Sequence, residues 1–195
     1  MRPRHDDEND VQGGLPKSIR ERLYKARTIL ISSAIDQKIA ARVTAELLAM
    51  AAESDEPITI YLNSQGGHVE SGDTIHDMIQ FIAPEVRIVG TGWVASAGAF
   101  IFVSVPLERR FCLPNTRFLL HQPAGGARGT ASDVEIEANE ILKMRERLNR
   151  IFAERTGQSL EKIKEDTHRN FWLDADAAKE YGLVGSIVKH IAEVR

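Results

Sequence analysis

Three times in the first half of the chain, a short run of β-branched and aliphatic residues gives way to a turn and then to a helix-periodic stretch. Thr28-Ile29-Leu30-Ile31 is bounded by Ser32-Ser33, and Asp36 stands where it can cap a helix over about 37–52 with Ile39, Val43 and Leu47 on one stripe. Pro57 requires that helix to have ended, because the residue before a proline avoids helical dihedrals. Ile58 to Leu62 then alternates with period two, Asn63-Ser64-Gln65-Gly66-Gly67 breaks it, and Ile75, Ile79 and Ile82 mark the next helix. Val86 to Val89 reads as a third, buried strand ended by Gly90-Thr91-Gly92, and Ala97 to Val103 is small and apolar enough for a buried helix. Strands that alternate with helices in this way pair in parallel, since each crossover returns the chain to the same end of the sheet. The fold class is therefore α/β, built of repeated βαβ units.

The second half continues with two short strands, Arg110 to Leu113 and Arg117 to Leu120, around Pro114-Asn115, then a loop holding Gly125, Gly126 and Gly129. Ser132 and Glu135 fit a capping box for a long helix that runs to Thr156, where Gly157 supplies a left-handed stop. Leu160 and Ile163 mark a short helix, Asp174 caps another that Gly182 ends, and Ile187-Val188 is a last strand. At the front, Ser18 to Ala26 fits a short helix that presents Ile19 and Leu23. Met1 to Gly14 has almost no large apolar side chain to offset the entropy of ordering. Residues 1–18 are accordingly expected to be a mobile arm ahead of one domain over 19–195, a size at which a single core is the rule.

Charge narrows the partners. With 25 basic and 28 acidic residues the chain carries −3, so nothing draws it to nucleic acid or an anionic membrane. No apolar run approaches the roughly 20 residues of a membrane span. Cys112 is the single cysteine, which excludes an intrachain disulfide and a cysteine metal cluster and points to a reducing compartment, the cytoplasm.

Ser96 lies at a strand-to-helix junction with Ala95, Ala97 and Gly98 around it. Its hydroxyl is uncrowded, and the backbone N–H groups that follow sit at a helix N-terminus, which favours negative charge on an approaching carbonyl oxygen. The same small residues also suit plain tight packing, and the five-residue elbow of α/β-hydrolases is absent because Val94 stands where its first glycine belongs. His121 ends an apolar strand, a rigid place for a base, although such a histidine also serves to bond a loop carbonyl. His68, His76 and His168 are rivals. Gly66-Gly67 is open to three readings: a phosphate cradle, a turn, or a source of oxyanion donors. No dinucleotide or P-loop signature accompanies it.

Taken together, these segments resemble the Clp protease proteolytic subunit (ClpP) family. The segments are Asn63 to Gly67, Met78 to Ile82 before Pro84, Ala95 to Phe100, Leu113-Pro114-Asn115, His121-Gln122-Pro123, Thr156-Gly157-Gln158 and Glu180 to Leu183. The resemblance covers roughly Ile29 to Val188 and implies a crotonase-like fold with a protruding strand-helix handle. It implies Ser96 as nucleophile, His121 as general base, Asn170 as third member of the triad, and Gly67 and Ala97 as backbone oxyanion donors, with no metal or cofactor. It further implies cleavage of unfolded polypeptides and short peptides, two stacked heptameric rings, and an AAA+ unfoldase docked at a pocket that includes Tyr61 and Phe81.

Three positions depart from the family pattern. Asn170 stands where an aspartate is usual, with Asp166 and Asp174 nearby as substitutes. The segment Arg4 to Arg22 does not resemble the family's axial loop. Thr59 replaces an aromatic residue of the docking pocket, on the same strand face as Tyr61. These departures leave room for a catalytically weak or silent subunit that co-assembles with an active paralogue. An acyl-CoA hydratase or isomerase on the same scaffold is a further alternative, disfavoured by the presence of both Ser96 and His121.

Overall fold

The computed structural model describes residues 15–126 and 128–194, so most of the expected arm lies outside the described residues. The first helix, α1, spans Lys17–Lys25, and β1, Thr28–Ile31, follows it with the bounds that its β-branched run predicts. Helix α2, Gln37–Glu53, starts where Asp36 accepts a hydrogen bond from Ile39 N, and buries Ala40, Val43, Leu47 and Met50 along one face. Strand β2, Ile58–Ser64, completes the first parallel crossover beside β1 through α2, and helix α3, Val69–Phe81, begins the second.

Strand β3 is longer than its glycines suggest. It runs Val86–Ala95, straight through Gly90-Thr91-Gly92, which sequence reading takes for a breaker. Gly90 is there for room, since a Cβ would meet Val94, Phe102 and Phe118 at 3.2 to 3.4 Å. Gly92, at φ 60°, forms an irregularity against β2, where the register jumps from Leu62–Gly90 to Ser64–Val94. The irregularity lets one strand serve two neighbours. Short helix α4, Ala97–Phe102, follows β3, and β4 (Arg110–Cys112) and β5 (Arg117–Leu120) come next. The early half of β3, Ile88 to Gly90, pairs with β4, and its late half, Trp93 to Ala95, pairs with β5, both in parallel.

Helix α5, Ala131–Thr156, is capped by Thr130 and Asp133 rather than by Ser132 and Glu135, because the reciprocal bonds form two residues earlier; it stops at Gly157 with φ 75° as expected. Helix α6, Leu160–Asp166, leads into β6, Phe171–Leu173, a strand that periodicity over three residues does not reveal. It runs antiparallel to β5. Helix α7, Ala175–Glu180, and β7, Ser186–Ile187, close the chain against β4. The seven strands make one sheet in the order β1-β2-β3-β4-β7, with β5 and β6 branching from β3. The main core, from Ile29 through Leu62, Phe102 and Phe118 to Leu183, lies between that sheet and its helices. Among the described residues no helix is long and apolar enough to cross a membrane.

Candidate active site

Parallel strands β2, β3 and β5 end at one edge of the sheet, and their ends carry, in that order, Gly66-Gly67, Ser96 and His121. Such a carboxyl-end crevice is where open α/β sheets place their chemistry. Antiparallel β6 begins at the same edge. Its register pairs Leu120 with Phe171, so His121 and Asn170 are the next positions on the two strands, opposite each other by that register.

Ser96 sits at a forced corner. Its dihedrals are φ 54° and ψ −122°, a region that L-residues enter only under constraint, at a cost of about 1–3 kcal/mol. The constraint is visible on both sides: Ser96 N donates to Leu119 O at 2.9 Å, and Ser96 O accepts from Phe100 N at 3.1 Å to start α4. Ala97 and Gly98 meet the packing demand, since Cβ atoms at Gly72 and Gly98 would lie 3.3 Å from Ala97 and Ser64 respectively. Ser96 itself stays half-buried, with its side chain free of that role.

The glycine pair is pinned against this corner. Ser64, fully buried, donates to Ser33 O at 2.6 Å and accepts from Gly66 N at 3.1 Å, while Ile35 N donates to Gly66 O and His68 N to Ile35 O, both at 2.9 Å. A Cβ on Gly66 would stand 2.6 Å from Ser96 Cβ and 2.7 Å from Ala95 O; one on Gly67 would stand 2.2 Å from Ile35 O. Only glycine fits either place. Among the described residues the N–H groups of Gly67 and Ala97 have no acceptor, so both remain available to a ligand oxygen. Gly66 is the residue sequence reading undervalues: the pair is legible, but its fit against Ser96 is a long-range contact.

His121 is half-buried, and burial holds its pKa below the ordinary histidine value, so the imidazole is neutral at pH 7. Among the described residues no side-chain hydrogen bond joins Ser96 to His121 or His121 to Asn170, and Asn170 is exposed. Of the rival groups, His68, His76, Asp166 and Asp174 are occupied, while His168 is exposed. His76 is 3% exposed and stacked on Phe100, and His68 Nδ1 is bonded to Ser71 Oγ. Asp166 accepts from Tyr181 Oη at 2.6 Å and pairs with Lys162, and Asp174 caps α7 through Ala177 N. Asn170 is the residue that the register sets opposite His121, and both aspartates are bonded elsewhere. Cys112 is buried, its thiol pushed up to about 12, and takes no part.

Tyr61 is half-buried against a separate small cluster of Val89, Phe111 and Val188. Phe81 is 79% exposed at the end of α3 and lies outside that cluster.

The depressed imidazole pKa predicts the acid limb of activity. If His121 must be neutral to act, the acid limb of kcat/KM is centred below the ordinary histidine value of about 6.5. The sign for stability is the same. The unfolded chain binds the proton more readily, so the stabilisation is complete above the unfolded pKa and is lost as pH falls through the folded one. A pH profile with its acid limb above 6.5 contradicts this assignment of the base.

In class, then, this is an α/β fold with a strained serine corner at the carboxyl edge of a largely parallel sheet. A family model described as Clp protease matches residues 12–191. A curated protein from Rhizobium etli, ATP-dependent Clp protease proteolytic subunit 3, is 58% identical over 194 residues, covering 100% of both chains. ATP-dependent Clp protease proteolytic subunit 2 of Pseudomonas aeruginosa is 50% identical over 95% of this chain and 92% of its own. Among solved structures, ClpP1 from Listeria monocytogenes superposes with a TM-score of 0.82 at 52% identity, covering 91% of this chain and 99% of that one. An Asn-to-Asp mutant of that protein does so with 0.85 over the same shares. The chain belongs to the Clp protease family, has the ClpP fold and is a serine-type peptidase.

Proposed function

We propose that Ser96 is the nucleophile, His121 its general base and Asn170 the group that orients the imidazole, with Gly67 and Ala97 N–H as the oxyanion hole. The observation that carries this reading is the strained Ser96 corner at an edge where the neighbouring parallel strand delivers a neutral imidazole. Ser96 Oγ attacks a peptide carbonyl carbon as His121 takes its proton. Negative charge gathers on the carbonyl oxygen, where the two N–H groups receive it. The C–N bond then breaks, the departing amine takes the proton from His121, and water repeats the sequence on the acyl-enzyme.

Asn170 can accept a hydrogen bond from the ring and fix its tautomer, but it brings no charge to stabilise the imidazolium. Replacing Asn170 by Asp is expected to leave assembly intact and to preserve or raise kcat. A collapse of kcat with assembly unchanged means the rim is built for an amide.

The triad side chains are not hydrogen-bonded to one another in the single chain, so alignment falls to assembly. Two stacked heptameric rings fit the shape of α5, whose outer half leaves Ile136 60% and Leu142 57% exposed. Tyr61 and Phe81 are assigned to the docking of an AAA+ unfoldase that feeds unfolded polypeptides, in keeping with the relatives' description as ATP-dependent. The setting is the cytoplasm. Particle mass and peptidase rate on one purified sample test the whole: a tetradecamer-sized particle that cleaves short peptides supports it, and a particle without turnover opposes it.

One other reading has a specific observation behind it. The neutral Asn170 suits a weak or silent subunit that assembles with an active paralogue. Robust hydrolysis by this chain alone eliminates that reading.

A further inference from the structure

The face of the sheet that carries His121 and Asn170 carries a second group of residues. On β5, Arg117, Leu119 and His121 alternate onto one face, and the pairings Trp93–Arg117 and Leu119–Trp172 put both tryptophans on it. The other face, with Phe118, Leu120 and Leu173, enters the core. Trp93 and Trp172 are 42% and 38% exposed, their rings are parallel within 2°, and their centroids are 6.3 Å apart. Strand β5 runs between their strands, and its Arg117 guanidinium lies 4.4 Å from the Trp172 ring centroid.

Exposed indoles normally associate with something, and a guanidinium against an aromatic face is held in one orientation at little entropic cost. Among the described residues no carboxylate pairs with Arg117. A planar cation that is held in place and unpaired is complementary to a carboxylate. Trp172 is two residues from Asn170, Trp93 three from Ser96 and Arg117 four from His121. At about 3.3 Å per extended residue, the row lies roughly two to four peptide residues from the reacting centre.

We infer that Trp93, Arg117 and Trp172 form a substrate subsite that takes an acidic side chain, Glu or Asp, two to four residues from the cleaved bond. The carboxylate pairs with the guanidinium, and the neighbouring apolar part of the substrate lies on the indoles. The inference rests on the peptidase reading for its substrate, but its test does not depend on turnover.

Trp93 and Trp172 are the only tryptophans in the chain, so emission excited selectively from tryptophan reports this row alone. The assembled full-length S96A protein is titrated with an eight-residue Ala/Leu peptide holding one Glu, and with its Gln counterpart. The Glu peptide should shift or quench the emission at about threefold lower concentration, the size of an exposed ion pair. Arg117→Gln should bring that ratio to one, and Arg117→Lys should keep part of it, since the charge remains and the planar contact is lost. In the active protein the Glu-over-Gln ratio in kcat/KM should follow the same pattern across the three sequences. Equal titration by both peptides, or a ratio that Arg117→Gln leaves unchanged, overturns the subsite. A preference only for a free C-terminal carboxylate, seen when amidation abolishes it, overturns the assignment to an acidic side chain. Emission that responds in S96A while the active chain turns over nothing sinks the peptidase reading and leaves the subsite standing.

Discussion

Replacing Ser96 by glycine should abolish turnover and at the same time make the protein more stable than the alanine variant. Both effects come from the same dihedrals. At φ 54° and ψ −122° any residue with a Cβ is strained, and alanine keeps that strain while losing the hydroxyl. Glycine enters the region freely, though part of the gain is returned through the greater entropy of its unfolded chain. The net difference between the Gly and Ala variants should be about 1 kcal/mol in favour of glycine, measurable as a shift in denaturation midpoint with unchanged m-value. Peptidase kcat/KM should drop by about 10⁵ to 10⁶-fold in both, as when a triad nucleophile is removed. An alanine variant as stable as the glycine one would mean that the corner is unstrained. Retained turnover in either would remove Ser96 from the chemistry.

Gly66→Ala should be nearly as damaging to activity, although residue 66 has no reacting group. A new Cβ would collide with Ser96 Cβ at 2.6 Å and Ala95 O at 2.7 Å, and the φ of 92° would be strained as well. The loop cannot simply retreat, because Gly66 N is tied to buried Ser64 and Gly66 O to Ile35 N. The collision is relieved by moving the β3–α4 corner, and a displacement near 1 Å at a nucleophile costs about 10²-fold in rate. Loss of about 2–4 kcal/mol of stability should accompany it, as for overpacking combined with backbone strain. The signature is a fall in kcat with the folded, assembled particle retained at low temperature. A Gly66→Ala protein with ordinary kcat would show that the glycine loop and the serine corner are not mechanically joined.

The parts of this site differ in how legible they are from sequence. Helix α2 is recoverable almost to the residue, because Asp36 and the Val43–Leu47 stripe are local signals. The Ser96 corner is legible from its small neighbours for the same reason. The continuation of β3 through Gly90 and Gly92 is not, since those glycines are dictated by Phe102, Phe118 and Asn63, which are distant in sequence. Strand β6 escapes detection because three residues carry no periodicity; only its pairing with β5 sets Asn170 opposite His121. The resemblance to a family singled out Asn170 where residue types alone left Asp166 and Asp174 in play, and the structure explains why both aspartates are committed elsewhere. The pairing of Trp93 with Trp172 across β5 lay equally beyond sequence, being a matter of register.

The most direct test of the whole account is to treat the assembled protein with a fluorophosphonate and map the adduct by mass spectrometry. The account predicts a single adduct per chain on Ser96, formed about 10³-fold or more faster than on any other serine, and slowed when His121 is replaced by alanine. An assembled particle in which Ser96 stays unmodified, or in which another serine is labelled instead, contradicts it.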